Sequence, residues 1–299
     1  MCSVPILAPC KEAVKFKQLS VCVIGLGMIG GSFAGALKRA GHLGKVGAVV
    51  RREDVGKLGV ELDLIDQYTT CIDETIAEYD VIMLAVPMLS MREQMNELKP
   101  FIRPDTIITD AGSVKGQFVK DAESAFDSLT QLVPGHPIAG REKTGVEASD
   151  VTLFTNKRVL LTPTPTTSPD AVAAITALWE FTGAMVENIG VDQHDRVLAA
   201  TSHLPHVLAF ALVDTLATQQ EAEEIFRYAA GGFKDFTRIA SSDAIMWRDV
   251  CLSNRDAILD SIDQLDEHLK KLRSAIADSD GSQIEAIFRR ARDTRDTYT

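Results

Sequence analysis

Six short stretches of this 299-residue chain carry more chemistry than a fold needs. Gly25-Leu26-Gly27-Met28-Ile29-Gly30 puts three glycines where side chains would keep an anion off the backbone. Asp110-Ala111-Gly112-Ser113-Val114-Lys115 follows an apolar run with a hydroxyl and a cation. Gly135-His136-Pro137-Ile138-Ala139-Gly140-Arg141-Glu142-Lys143 presents a histidine beyond another apolar run. Thr201-Ser202-His203-Leu204-Pro205-His206 sets two imidazoles around a proline, and Gly231 to Arg238 (GGFKDFTR) and Asp243 to Arg248 (DAIMWR) cluster cations near an indole. A neutral imidazole accepts a proton near physiological pH. A guanidinium fork matches a carboxylate bidentately. Proton transfer and pairing with anions are chemistries that these residue types can serve.

Composition narrows the partners. With 45% hydrophobic and 24% charged residues the chain has ample material for a core, which excludes disorder as its main state. Its 42 acids against 31 bases give a formal net charge of -11, a poor field for nucleic acid. An anionic substrate then needs local cations. Cys2, Cys10, Cys22, Cys71 and Cys251 are scattered without a CxxC pair, as expected for reduced thiols in a cytosolic protein. No histidine–carboxylate cluster has metal-ligand spacing, so no metal is expected. No run reaches the length of a membrane span, and Met1 to Gln18 lacks a signal-peptide core. A cytoplasmic protein without a membrane partner is the expectation.

These residues need elements to hold them. Short β-branched runs at Val21–Ile24, 45–50, 81–86, 106–109, 131–133, 159–162 and 184–189 read as strands. The first three are apolar almost throughout, as in strands buried on both faces of a parallel sheet. Helical stretches lie between them, such as 32–40 and 170–182. The alternation predicts an α/β Rossmann-type, doubly wound sheet domain over residues 19–190. After Val191 the strand signal ends. Apolar residues at three- and four-residue spacing over 194–216 and 256–277 predict an all-α domain over 191–299. The face repeated in DSIDQLDEHLKKLR (260–273) suits either solvent or a second subunit.

The glycines occupy a strand–turn–helix context, where Gly25 permits the tight turn, Gly27 the approach of a pyrophosphate and Gly30 close helix–strand packing. Leu26, Met28 and Ile29 lie between them, and the helix N-terminus meets the phosphates. This predicts a dinucleotide site. An NAD enzyme places an acid about 20 residues on, for the ribose 2′-hydroxyl. Here that position is Val50, followed by Arg51 and Arg52, a pattern favouring NADP. NAD stays open if Glu53 or Asp54 serves the ribose. Val86 and Pro87 end the third strand-like run, either as cofactor contacts or as a structural turn.

Taken together, GHPIAGREKTGVEAS, SHLPHVLAF and GGFKDFTRIASSDAIMW, in this order, resemble the prephenate/arogenate (cyclohexadienyl) dehydrogenases of tyrosine biosynthesis. The resemblance runs from about Val21 to the C-terminus. Many relatives carry Asp where Val50 stands, so NAD does not carry over. It implies oxidative decarboxylation of prephenate or arogenate to 4-hydroxyphenylpyruvate or tyrosine, with hydride transfer to NAD(P)+. Analogy and the apolar helix faces point to a homodimer, and the likeness of product to substrate makes tyrosine a candidate feedback inhibitor.

The reaction needs a base for the substrate hydroxyl and cations for its carboxylates. His136 is the base, as in the family, and Ser113 orients the imidazole as its family counterpart does; on spacing alone Ser113 is also an ordinary turn serine. Arg238 suits the ring carboxylate. The resemblance places Glu142 and Asp235 in an ionic network around it, His206 on the substrate side chain and Trp247 as an aromatic wall, although a lone Trp also suits a core. His194, His42 and His268 read as surface or cap residues. Two other readings compete. A β-hydroxyacid dehydrogenase needs a Lys-x-x-x-Asn pair, but Lys234 is followed four residues on by Arg238. A nucleotide-sensing regulator would not need Ser113, His136, His206 and Arg238 together.

Overall fold

A computed structural model describes residues 16–141 and 143–298. Strand β1 (Val21–Ile24) runs through the glycine turn into α1 (Met28–Arg39), and β2 (Val46–Val49) is followed by α2 (Glu53–Glu61) and β3 (Gln67–Thr69). Next come β4 (Val81–Leu84), α3 (Met91–Leu98), β5 (Ile107–Asp110), α4 (Gly116–Ala125) and β6 (Leu132–Val133). These six strands form one parallel sheet in the order β3-β2-β1-β4-β5-β6. Strand order reverses between β1 and β4, which opens a crevice at their carboxyl ends.

Both faces of the sheet are covered, as the apolar runs require. Val21 and Val23 face a core with Phe33, Leu37, Phe154 and Trp179, where Phe33 and Trp179 meet at 4.6 Å between centroids. Cys22 and Ile24 face the opposite core, with Met91, Met95, Leu98 and Phe118. Alternation along one strand thus feeds two cores.

A second sheet stands beside the first. It contains β7 (Gly135–Pro137), β8 (Arg158–Leu161) and, after α5 (Pro169–Phe181), β9 (Met185–Asn188). β7 runs antiparallel to β8, pairing His136 with Leu160, and β8 runs parallel to β9. Two strands in this architecture depart from the sequence reading. β3 (Gln67–Thr69) is an edge strand whose residues are partly exposed, so it has no apolar run to betray it. β7 is three residues long and includes a glycine and a proline. His136 therefore sits within a strand, not beyond the exit of one.

The rest of the described chain is helical. α6 (Val191–Leu198) passes through one wide π turn (Ala199–His203) into α7 (Leu204–Ala217). Pro205 supplies no N–H to the turn before it, which disturbs the helix where the sequence placed a disturbance. α8 (Ala222–Arg227), α9 (Gly231–Thr237), a 3₁₀ turn (Arg238–Ser241), α10 (Ala244–Ser253), α11 (Arg255–Ala277) and α12 (Gly281–Tyr298) follow. The sequence reading found no membrane-length apolar run, yet Val191–Ala217, which contains an 18-residue window with a mean hydropathy of 1.4, is long and apolar enough to cross a bilayer by length and composition. No continuous apolar run announces it, because Thr201, Ser202, His203 and His206 interrupt its middle. In the structure it packs against α4 through α6 and against α9 and α11 further along.

Candidate active site

The cofactor end is a cleft of about 890 Å³ at the carboxyl ends of β1, β2 and β4. Gly25, Leu26, Gly27, Arg51, Arg52, Val86 and Pro87 all line it. Gly25 has a φ of +96°, and a Cβ there would lie 2.6 Å from the Ala85 carbonyl oxygen. Only glycine meets both demands. A Cβ on Gly30 would lie 2.2 Å from the Gly25 carbonyl oxygen, so Gly30 sets how closely α1 approaches the turn. Gly27 differs: a Cβ there would meet nothing within 4 Å. It caps α1, whose first turn has neither a side-chain cap nor an acid. Free N–H groups therefore face open space of the kind a pyrophosphate fills. Met28 and Ile29 enter the helix and are absent from the cleft lining; Ile29 packs on the first core.

Val50 is 3% exposed and turned into the core, so no acid stands at the ribose position next to β2. Arg51 and Arg52 are exposed, and Arg52 pairs with Asp54 at 3.0 Å. Asp54 is thereby engaged with a cation.

The catalytic end gathers around β5 and β7. Asp110 closes β5 and is fully buried with Lys115, with which it forms an ion pair. Burial pushes the Asp110 carboxyl up and the Lys115 ammonium down, against their mutual attraction. Asp110 accepts the N–H groups of Gly112 at 2.8 Å and Gly135 at 3.0 Å, while Lys115 donates to the Gly135 carbonyl at 2.6 Å. One buried pair thus fixes the half-buried Ser113 loop and the strand that carries His136.

His136 is 8% exposed. Its Nδ1 lies 2.9 Å from Nε2 of His194, whose Nδ1 lies 2.8 Å from the Asp195 carboxylate. His194 is fully buried, which overturns its reading as a surface or cap residue. Asp195 also accepts the N–H groups of Lys115 at 2.9 Å and Gly116 at 2.8 Å, where α4 begins. Burial opposes ionisation of Asp195, but these bonds with that from His194 outweigh it and hold the carboxyl below its usual range. Burial, and then the neighbouring His194, holds His136 well below the usual histidine range. His136 is neutral, with a lone pair to offer.

A second imidazole group adjoins the first. The buried His203 bonds Asn254 through Nδ1 at 3.0 Å, and Asn254 donates to the Asp195 carbonyl at 2.9 Å. Burial pushes His203 down to about 4. His206 stacks on Trp247 with centroids 3.6 Å apart and planes 19° from parallel, and its Nδ1 donates to the Ser202 carbonyl at 2.9 Å. Trp247 is 9% exposed and belongs to the second core, so it is both a wall for His206 and a core residue. Asp235 on α9 and Arg238 in the following turn are exposed, on elements packed against α7. Glu142 lies outside the described residues.

His194, Asp195 and Asn254 were missed as site residues. Their only signal was an acid beside a histidine at a helix start, a pattern that capping explains equally well. Among the described residues no group of three or more His, Cys, Asp or Glu is placed to hold a metal.

A sheet of this order, an open glycine before an uncapped helix and a neutral imidazole beside β5 define a two-part, nicotinamide-dinucleotide dehydrogenase. The family model for the prephenate dehydrogenase nucleotide-binding domain matches residues 33–188, and that for the prephenate dehydrogenase dimerization domain matches 191–290. The chain belongs to the prephenate dehydrogenase family. It is 37% identical over 277 residues to the cyclohexadienyl dehydrogenase of Zymomonas mobilis, covering 92% of this chain and 94% of that one. To the prephenate dehydrogenase of Bacillus subtilis it is 36% identical over 284 residues, covering 93% of this chain and 75% of that one. The prephenate dehydrogenase of Aquifex aeolicus, solved with hydroxyphenyl propionate and NAD+, superposes with a TM-score of 0.89 at 38% identity, over 94% of this chain and 99% of that one.

Proposed function

We propose that this chain oxidises and decarboxylates prephenate, arogenate or both, giving 4-hydroxyphenylpyruvate or tyrosine, with His136 as the base. The observation that carries the assignment of the base is the buried, neutral His136, with Nδ1 engaged at 2.9 Å and Nε2 left to meet a substrate hydroxyl. The bound nicotinamide dinucleotide supplies the acceptor for the hydride that leaves C4. His136 Nε2 takes the 4-hydroxyl proton, the electrons of the C1–carboxylate bond aromatise the ring as CO₂ leaves, and His136 returns the proton to the phenolate oxygen. Ser113 orients the hydroxyl from the loop that Asp110 and Lys115 pin. Arg238 takes the ring carboxylate, with Asp235 in its ionic network. His206, held flat on Trp247, meets the side chain of the substrate.

For the cofactor we favour NADP. The support is the pairing of a buried Val50 with Arg51 on the cleft wall, which offers a cation and no carboxylate to a 2′-phosphate. A cytoplasmic homodimer through the helical half, with tyrosine as a product-shaped inhibitor, completes the reading.

The test is an initial-rate assay with prephenate and arogenate, each with NAD and NADP. Turnover of either acid with preference for NADP is expected, and Arg51→Ala should erase that preference. Preference for NAD in the unaltered protein would return the ribose to Glu53 or Asp54. His136→Asn should keep dinucleotide binding and lose at least about 10²-fold in kcat, the scale of general-base catalysis. Normal turnover by that variant would remove His136 from the mechanism.

A further inference from the structure

We infer that His194, anchored by Asp195, is a positioning residue that holds His136 as the tautomer protonated at Nδ1 and so keeps Nε2 unprotonated toward the substrate. The inference rests on the reading of His136 as the base. It follows from counting protons along three groups. An ionised Asp195 can only accept, so the proton of the 2.8 Å contact belongs to His194 Nδ1. With that single proton on Nδ1, His194 has a bare Nε2, which can only accept. The proton of the 2.9 Å contact therefore belongs to His136 Nδ1, and its Nε2 carries the lone pair. Reversing either bond would protonate His136 Nε2 and abolish the base.

The anchor is built, not incidental. Asp195 Oδ1 takes the Lys115 N–H as well as His194, and Oδ2 takes the Gly116 N–H. Two backbone donors at the start of α4 thus keep the carboxylate ionised and fix its plane. The rings of His136 and His194 meet edge to face, with centroids 5.1 Å apart and planes at 63°, and both are buried. When His136 takes the hydroxyl proton, its new charge faces the His194 lone pair, with the Asp195 carboxylate one ring beyond. The other titratable groups around this array are Lys115 and Asp110, paired with each other, and His203, bonded to Asn254.

Two substitutions separate positioning from bulk. His194→Gln keeps an oxygen acceptor for His136 Nδ1–H, whereas His194→Leu removes it. We expect His194→Leu to lose at least about 10²-fold in kcat, the lower end of what a correctly protonated general base contributes, and His194→Gln to stay within about tenfold of the parent. Dinucleotide affinity should stay within about twofold in both, because neither side chain lines the cleft. The tautomer itself is read by nitrogen NMR of histidine-labelled, unaltered protein at neutral pH. His136 should show a protonated Nδ1 and a bare Nε2.

A His136 protonated at Nε2, or a folded His194→Leu with undiminished kcat, would overturn the inference. If His194→Leu does not fold, the glutamine variant and the tautomer decide. A fully active His136→Asn would sink the base assignment instead, and the NMR result would still report on the pair.

Discussion

His136, the base proposed here, was singled out in the sequence by its residue type together with the family resemblance, since the chain has six histidines. Its environment was not legible, and environment sets its pH range. The burial that holds this imidazole well below the usual histidine range also keeps it neutral at mildly acid pH. The free enzyme's base therefore remains competent as pH falls through 6.5, the ordinary histidine value. We expect kcat/KM to stay level from pH 7.5 to 6.5 and to fall only at lower pH, as His136 takes a proton; a half-loss centred on 6.5 would contradict it. His194 shows why single residues mislead. It lies 58 positions from His136 in the chain, and nothing near either residue announces the other. A histidine followed by an aspartate has the local pattern of a helix cap. Only folding makes it the partner of a base.

At the scale of elements, the glycine turn was readable because each glycine answers a backbone demand. The structure separates those demands. Gly30→Ala drives a methyl against the Gly25 carbonyl and the Val23 side chain, so we expect about 1–3 kcal/mol of destabilisation in thermal or denaturant unfolding. Gly27→Ala meets nothing and should change stability by about 1 kcal/mol or less, yet put its methyl where the pyrophosphate belongs. Dinucleotide affinity of Gly27→Ala should fall about tenfold, roughly 1.4 kcal/mol, measured by fluorescence titration. Equal effects of both changes on stability would mean that the turn has been misread. The strands divide the same way. β1, β2 and β4 are legible because burial on both faces demands unbroken apolar runs. β3 has an exposed edge, and β7 is held by pairing with β8 and by the Asp110–Lys115 contacts, which local sequence does not encode.

Across the whole molecule, the α/β half followed by a helical half was legible from the change in periodicity after Val191. What covers the helical half was not. In the single chain, α7 buries only Ala209 although it is apolar around most of its girth. Along α11, Leu259, Leu269 and Ile276 are 44%, 51% and 58% exposed. Apolar surface left open along long helices marks an interaction surface, and the homodimer proposed above would cover it. We expect sedimentation velocity at micromolar concentration to give twice the chain mass of 32.5 kDa. Leu269→Asp should raise the dissociation constant at least about tenfold; a monomer at every concentration would refute the arrangement. The site also draws on both halves, since Asp195 on α6 caps α4 and Trp247 on α10 joins the core beside β4.

The wide turn at Ala199–His203 has a consequence for angular phase. In an uninterrupted α-helix, residues 194 and 206 would point about 120° apart around the axis, given about 100° per residue. A π turn absorbs one extra residue without advancing the helix by that step, and the difference shrinks to about 20°. His194, which meets the base, and His206, which rests on the indole, are thereby brought onto nearly the same side of one rod. Winding that turn as regular α-helix with every residue kept would set the two imidazoles about a third of a revolution apart, whereas deleting one of its residues would restore their common side.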